Sequence, residues 1–162
     1  MKTVYGDIFK ELELNNADVF VHGCNCFCNM GAGIALDVKK RFPEAYLADL
    51  ETKAGSHEKL GTYSQAIVTH NGRQIIIVNA YTQYDWRGNG KDILADYSAI
   101  RHVFRAIKTN FNGLRIVYPT IGAGLAKGKW NIIEQIIDEE LSGEHHFCVR
   151  LPNNGHKKSQ SD

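Results

Sequence analysis

At 162 residues the chain has the length of one ordinary domain, enough to bury a core without disulfides or a structural metal. Lys plus Arg total 19 against 18 for Asp plus Glu, which excludes the broad basic field that holds a nucleic-acid backbone by counterion release, so any anion must be bound locally. No run approaches the roughly 18 apolar residues of a membrane span, and no signal-like apolar stretch follows Lys2; a soluble, cytoplasmic, monomeric protein is expected.

A strand-like segment follows Lys2. Short apolar runs rich in β-branched residues at 18–21, 65–69, 73–79, 114–118 and 147–151 read as buried strands. Leu36, Val38 and Phe42 predict a short helix between Gly33 and Pro43, with Lys39, Lys40 and Arg41 on its solvated side and Pro43 as its stop. Asn71-Gly72 separates two strand runs, and both residues tolerate the positive φ of a tight hairpin turn.

Two longer segments carry helical periodicity. Ile93, Leu94, Tyr97, Ile100, Val103, Phe104 and Ile107 form one face, with Asp92 as the expected N-cap and Asn112-Gly113 as the stop. Trp130, Ile133, Ile136, Ile137 and Leu141 form another. Strands alternating with helices predict a three-layer α/β/α domain over residues 1–151 with a central mixed, mostly parallel sheet, followed by a polar tail, 152–162, expected to be disordered.

The second strand runs into His22-Gly23-Cys24-Asn25-Cys26-Phe27-Cys28-Asn29, and Met30-Gly31-Ala32-Gly33-Ile34-Ala35 then opens a helix. Glycines let a backbone approach a phosphate closely, and a helix start offers unpaired N–H donors. One such loop serves equally well for tight helix–strand packing. A second one, Thr120-Ile121-Gly122-Ala123-Gly124-Leu125-Ala126-Lys127, again stands between a strand and a helix, and two loops at parallel strand ends share one sheet edge. Neither has the Gly-Lys-Ser/Thr ending of a P-loop, and the Rossmann Gly-x-Gly-x-x-Gly is missing.

His22, Cys24, Cys26 and Cys28 offer metal-ligand atoms. Alternation along an extended chain, however, puts them on one face rather than around a tetrahedron, so no metal and no cofactor are expected and the thiols, Cys148 included, read as reduced. Trp86 and Arg87, in a polar loop with Gly88 and Gly90, fit either a cover for a sugar or terminal phosphate or an ordinary exposed connection.

With these residues in view, the chain from Gly6 to Leu151 resembles a macrodomain, and most nearly the subgroup of the yeast-type ADP-ribose 1″-phosphate phosphatases. Gly6-Asp7-Ile8 is similar to the family's Gly-Asp-Ile signature, which implies that Asp7 accepts a hydrogen bond from adenine. Asn25, in His22-Gly23-Cys24-Asn25, matches the asparagine that contacts the distal ribose. The resemblance assigns the diphosphate to the stretches from Met30 to Ala35 and from Thr120 to Lys127.

Relatives that remove ADP-ribose from protein glutamate or from DNA bases resemble the segment Asn79 to Arg87, but carry a lysine where this chain has Gln83, and the glutamate hydrolase's aspartate position is Ala126. Glutamine forms no covalent adduct with a ribose carbon. The resemblance therefore implies removal of the terminal phosphate of ADP-ribose 1″-phosphate, with His22 handling protons, Gln83 or Asp85 positioning water, and Asn25 on the ribose. The alternatives are an ADP-ribosyl hydrolase acting on modified protein or nucleic acid, and a non-catalytic ADP-ribose reader. The implied partner is a small ADP-ribose derivative, free or attached to a protein.

Overall fold

Both faces of the central strands are apolar, and this dictates the layering. In the computed structural model, which describes residues 1–152, the elements are β1 (Lys2–Tyr5), α1 (Ile8–Leu14), β2 (Val19–Cys24), α2 (Gly33–Arg41), α3 (Pro43–Leu50), a single 3-10 turn (His57–Lys59), β3 (Tyr63–His70), β4 (Arg73–Tyr81), α4 (Tyr97–Asn110), β5 (Ile116–Tyr118), α5 (Trp130–Glu140) and β6 (His146–Arg150). The strands form one sheet in the order β1-β6-β5-β2-β4-β3. Every neighbouring pair is parallel except β3 and β4.

Alternation along β2 sends Val19 and Val21 to one face, where they meet Ile100, Phe104, Ile133 and Ile137 of α4 and α5. Phe20 points the other way, into a layer with Phe9, Leu12, Val38 and Phe42 from the side of α1 and α2. Burying each of these side chains contributes about 1.5–3 kcal/mol. The mixed α/β/α architecture expected from the sequence is the one observed.

The hairpin forms as its dipeptide predicts, with φ of 49° at Asn71 and 77° at Gly72. Other local expectations need correction. α4 begins at Tyr97, and its N-cap is Asp96, whose Oδ1 accepts from the Ala99 N–H at 2.9 Å. The reason is competition from outside the helix: the N–H groups of Leu94 and Ala95 both donate to Ala126 O, and that of Asp96 donates to Thr82 O. Ile93 is left exposed, and Asp92 accepts from Asn89 Nδ2 instead of capping.

Pro43 ends α2 and also opens α3, where its missing N–H costs nothing at the first helical position. Within the run expected to be solvated, Lys39 lies over the Tyr46 ring and Arg41 over the Phe9 ring. The sequence reading also lacked α1, which Asp7 caps by accepting from the Phe9 and Lys10 N–H groups. The expected tail, from residue 153 onward, lies outside the described residues.

Candidate ligand-binding cleft

β2 and β5 are adjacent and parallel, so the loops leaving their carboxyl ends emerge side by side. The first leads into α2, whose N-cap, Ala32, makes no side-chain capping bond. The N–H groups of Gly33, Ile34 and Ala35 therefore face the cleft without an intrahelical acceptor. In the second loop Gly122 adopts a φ of +74°, and its carbonyl accepts from the Gly128 N–H at 2.7 Å. A Cβ on Gly128 would stand 2.5 Å from that oxygen, so only glycine permits the fold-back.

That closure turns the rest of the second loop outward. The N–H groups of Gly122, Gly124, Leu125 and Ala126 have no protein acceptor among the described residues. The two loops come together over the cleft, where a Cβ on Gly33 would lie 3.6 Å from Leu125 Cδ1. Between them is a cavity of about 330 Å³. It shares Ile34, Pro119 and Thr120 with a second hollow of about 370 Å³, and the two make one elongated trough.

Most of the residues singled out from the sequence converge here. His22, Gly23, Cys24, Asn25, Gly31, Ala32, Gly33, Ile34, Ala35, Gln83, Thr120, Ile121, Gly122, Gly124, Leu125 and Ala126 line the first cavity, and Trp86 stands on its rim. Gly6, Asp7 and Ile8 line the second. Five residues, Arg87 among them, are not brought to either wall. Met30 is buried beneath the first loop against Cys24, Cys26 and Tyr81. Ala123 and Lys127 belong to the second loop without facing the cavity, and Asp85 turns outward to Arg87.

Sequence reasoning missed Asn29, Leu94 and Pro119 in the first cavity, and Phe9, Asp37, Arg41, Val149, Arg150 and Leu151 in the second. Asp37 and Arg41 follow Gly33 at intervals of four on α2, so helical periodicity carried that signal. Arg150 reaches the site because β6 pairs with β1, a topology no local pattern shows.

The Macro domain family pattern matches residues 21–137. The chain belongs to the macro domain family. It is 37% identical over 123 residues to an uncharacterized 17.5 kDa protein of Enterobacteria phage T4, spanning 72% of this chain and 76% of that one. It is 27% identical over 166 residues to the ADP-ribose 1″-phosphate phosphatase of Debaryomyces hansenii, spanning 86% and 93%. Among solved structures it resembles Thermosipho africanus DarTG in complex with ADP-ribose, with a TM-score of 0.68 at 20% identity, over 93% of this chain and 41% of that one.

In this macro domain no Lys, Arg, Asp or Glu side chain among the described residues lines the first cavity. Attraction for an anion there comes from helix-end and loop amides, whose dipoles are fixed by the fold. Not every amide is free: Asn29 Oδ1 accepts from the Gly31 N–H at 3.0 Å, which takes Gly31 out of the donor set. Asn25 is also partly committed, its Oδ1 accepting from the Phe27 N–H and its Nδ2 donating to Asn29 O. One hydrogen on Nδ2 is left for the cleft.

His22 departs from the proton-handling part expected of it. The ring is 1% exposed and sits 2.7 Å from Asn79 Oδ1. Asn79 Nδ2 donates to Ala45 O, which can only accept, so the amide orientation is fixed and the histidine carries its proton on Nε2. Burial drives the His22 pKa down to about 4, outweighing the opposite effect of its bond to Asn79. At neutral pH the macro domain therefore holds a neutral imidazole, a weak base whose one N–H is committed to Asn79.

Asp85 is corrected for a different reason. Its carboxylate forms a bidentate pair with Arg87 Nε and Nη2, both at 3.0 Å, and the hydrogen bond from Arg87 holds its pKa near about 2. Its backbone carbonyl does matter to the site, since it accepts from Gln83 Nε2 at 3.0 Å. This aims the Gln83 amide and leaves Oε1 as the free acceptor. Cys24, another lining residue, has its thiol pushed well above the usual range by burial and is no nucleophile.

Proposed function

We propose that the trough binds an ADP-ribose-type ligand and that the protein hydrolyses the terminal phosphate of ADP-ribose 1″-phosphate. The observation that carries this reading is the pair of amide-lined loops facing one another across Gly33 and Leu125, midway between two differently furnished ends. A diphosphate fits the middle. At one end, Asp7 uses Oδ1 for the helix cap and keeps Oδ2 for an adenine amino group. At the other, Asn25, Gln83 and Trp86 surround the place for the distal ribose. The phosphatase of Debaryomyces hansenii, similar over nearly its whole length, supports the choice of substrate.

The chemistry asks little of acid–base groups. Water attacks phosphorus, the bond from phosphorus to the 1″ oxygen breaks, and the leaving group is a hemiacetal oxygen, which departs more readily than an ordinary alkoxide. Charge on the transferring group is spread over its oxygens, and preorganised amides meet it. Gln83 Oε1 accepts from the attacking water, which passes its proton to a phosphate oxygen, while the remaining Asn25 Nδ2–H holds the ribose. His22 positions Asn79 and the end of β2.

Phosphate release from ADP-ribose 1″-phosphate by the full chain tests the reading. Wild type should turn over, and Gln83→Ala should lose roughly 10–100-fold in kcat with little change in ADP-ribose affinity. Tight ADP-ribose binding with no release would make the protein a reader. Release of ADP-ribose from a modified protein or oligonucleotide, without phosphate release, would make it an ADP-ribosyl hydrolase.

A further inference from the structure

Thr82 is the residue immediately after β4, and its place is set by its backbone: its N–H donates to Cys24 O at 3.2 Å, and its carbonyl accepts from the Asp96 N–H at 2.8 Å. The side chain is 1% exposed, and its hydroxyl is buried with no hydrogen-bond partner. Valine would fill the same volume without leaving a buried donor unpaired, so packing alone does not call for threonine.

The surroundings of the hydroxyl show where its partner comes from. A Cβ on Gly23 would stand 2.9 Å from Thr82 Oγ1 and 3.2 Å from Ile121 Cγ2. Gly23 and Ile121 both line the first cavity, as does Gln83, the residue after Thr82. The orphan hydroxyl thus lies directly behind the cleft wall, at the end where β2, β4 and the second loop meet. Any side chain at position 23 would be wedged against it.

We infer that Thr82 is a specificity-determining residue, its hydroxyl donating through one bound water to the distal-ribose end of the ligand. The inference rests on the ADP-ribose reading of the trough. It explains both a threonine where valine would pack and a glycine at 23, where any Cβ would press on the hydroxyl. A site built around a ligand hydroxyl discriminates by leaving its own polar atom unpaired when that group is missing.

Calorimetry with ADP-ribose and with ADP, which lacks the distal ribose, separates the possibilities. Thr82→Val should lose about tenfold or more in affinity for ADP-ribose and none for ADP, with an unchanged or higher Tm; Thr82→Ser should bind like wild type. Thr82→Ala, equally without the hydroxyl, serves if the valine variant does not fold. Equal binding of both ligands by wild type and Thr82→Val overturns the inference alone, as does an equal loss for both ligands. A wild-type chain that binds neither ligand overturns the ADP-ribose reading and this inference with it.

Discussion

His22 shows how far a residue's neighbours decide its chemistry. In the unfolded chain it titrates near its usual 6.5, and in the folded chain near about 4, so between those values the unfolded state binds the extra proton. Stability from this residue is therefore fully present above pH 6.5 and is lost as pH falls toward 4, a change on the order of 3 kcal/mol. Urea melts at pH 7.5 and 5 should show wild type losing more stability over that interval than His22→Gln. The difference between the two isolates His22 from His146, which burial also lowers, and from Asp49, which burial raises. Equal losses would mean that the imidazole is not buried as described.

The same residue marks a limit of sequence reading. Its place close to the first loop was legible, because β2 opens as a plain apolar run, but the strand continues to Cys24 and holds His22 inside it, opposite Asn79, rather than at its end. Its commitment to the core was not legible, since Asn79 is 57 residues away and is itself oriented by Ala45 of α3. Asp85 is the opposite case. Arg87 stands two positions along, and a carboxylate and guanidinium at that spacing in a loop were an available sign of an ion pair.

At the scale of elements, α4 was legible in its core face and misplaced at its start. Ile100, Val103, Phe104 and Ile107 are buried as their spacing requires, but the first turn gave way to hydrogen bonds that the Leu94 and Ala95 N–H groups donate to Ala126 O, a partner that the helical pattern does not contain. Cap substitutions check this. Asp96→Ala should cost about 1 kcal/mol in thermal or urea melts, whereas Asp92→Ala should stay within about 0.5 kcal/mol of wild type. The reverse order would place the helix start where periodicity alone puts it.

The second loop was legible as a glycine-rich strand-to-helix junction, but the sequence did not rank its glycines. The structure does. A Cβ at Gly128 would meet Gly122 O at 2.5 Å and Ile133 Cδ1 at 2.8 Å, while one at Gly124 would meet nothing within 4 Å. Gly128→Ala should therefore destabilise the fold by roughly 2 kcal/mol or more and disturb the outward-facing amides. Gly124→Ala should keep wild-type stability within about 0.5 kcal/mol. Paired melts, with ADP-ribose binding measured on each variant, read both effects.

For the whole molecule, the near balance of charge and the placement of the cleft belong together. A chain with 19 basic and 18 acidic residues has no broad field with which to draw in an anion, and its charged side chains, among the described residues, stay off the first cavity. Attraction falls to amides at the ends of β2 and β5, held in place by apolar layers on both sheet faces. Such dipoles sit against the ligand rather than across solvent, so mobile ions screen them weakly. Among the described residues, only Arg41 and Arg150, in the second hollow, add cationic side chains to the trough walls. ADP-ribose affinity should consequently change by less than about threefold between 50 and 500 mM salt, in contrast to the steep loss that accompanies binding through many Lys and Arg contacts. Calorimetry at the two salt concentrations decides it. A drop of about tenfold would shift the main attraction to Arg41 and Arg150, and Arg41→Gln should then flatten the dependence.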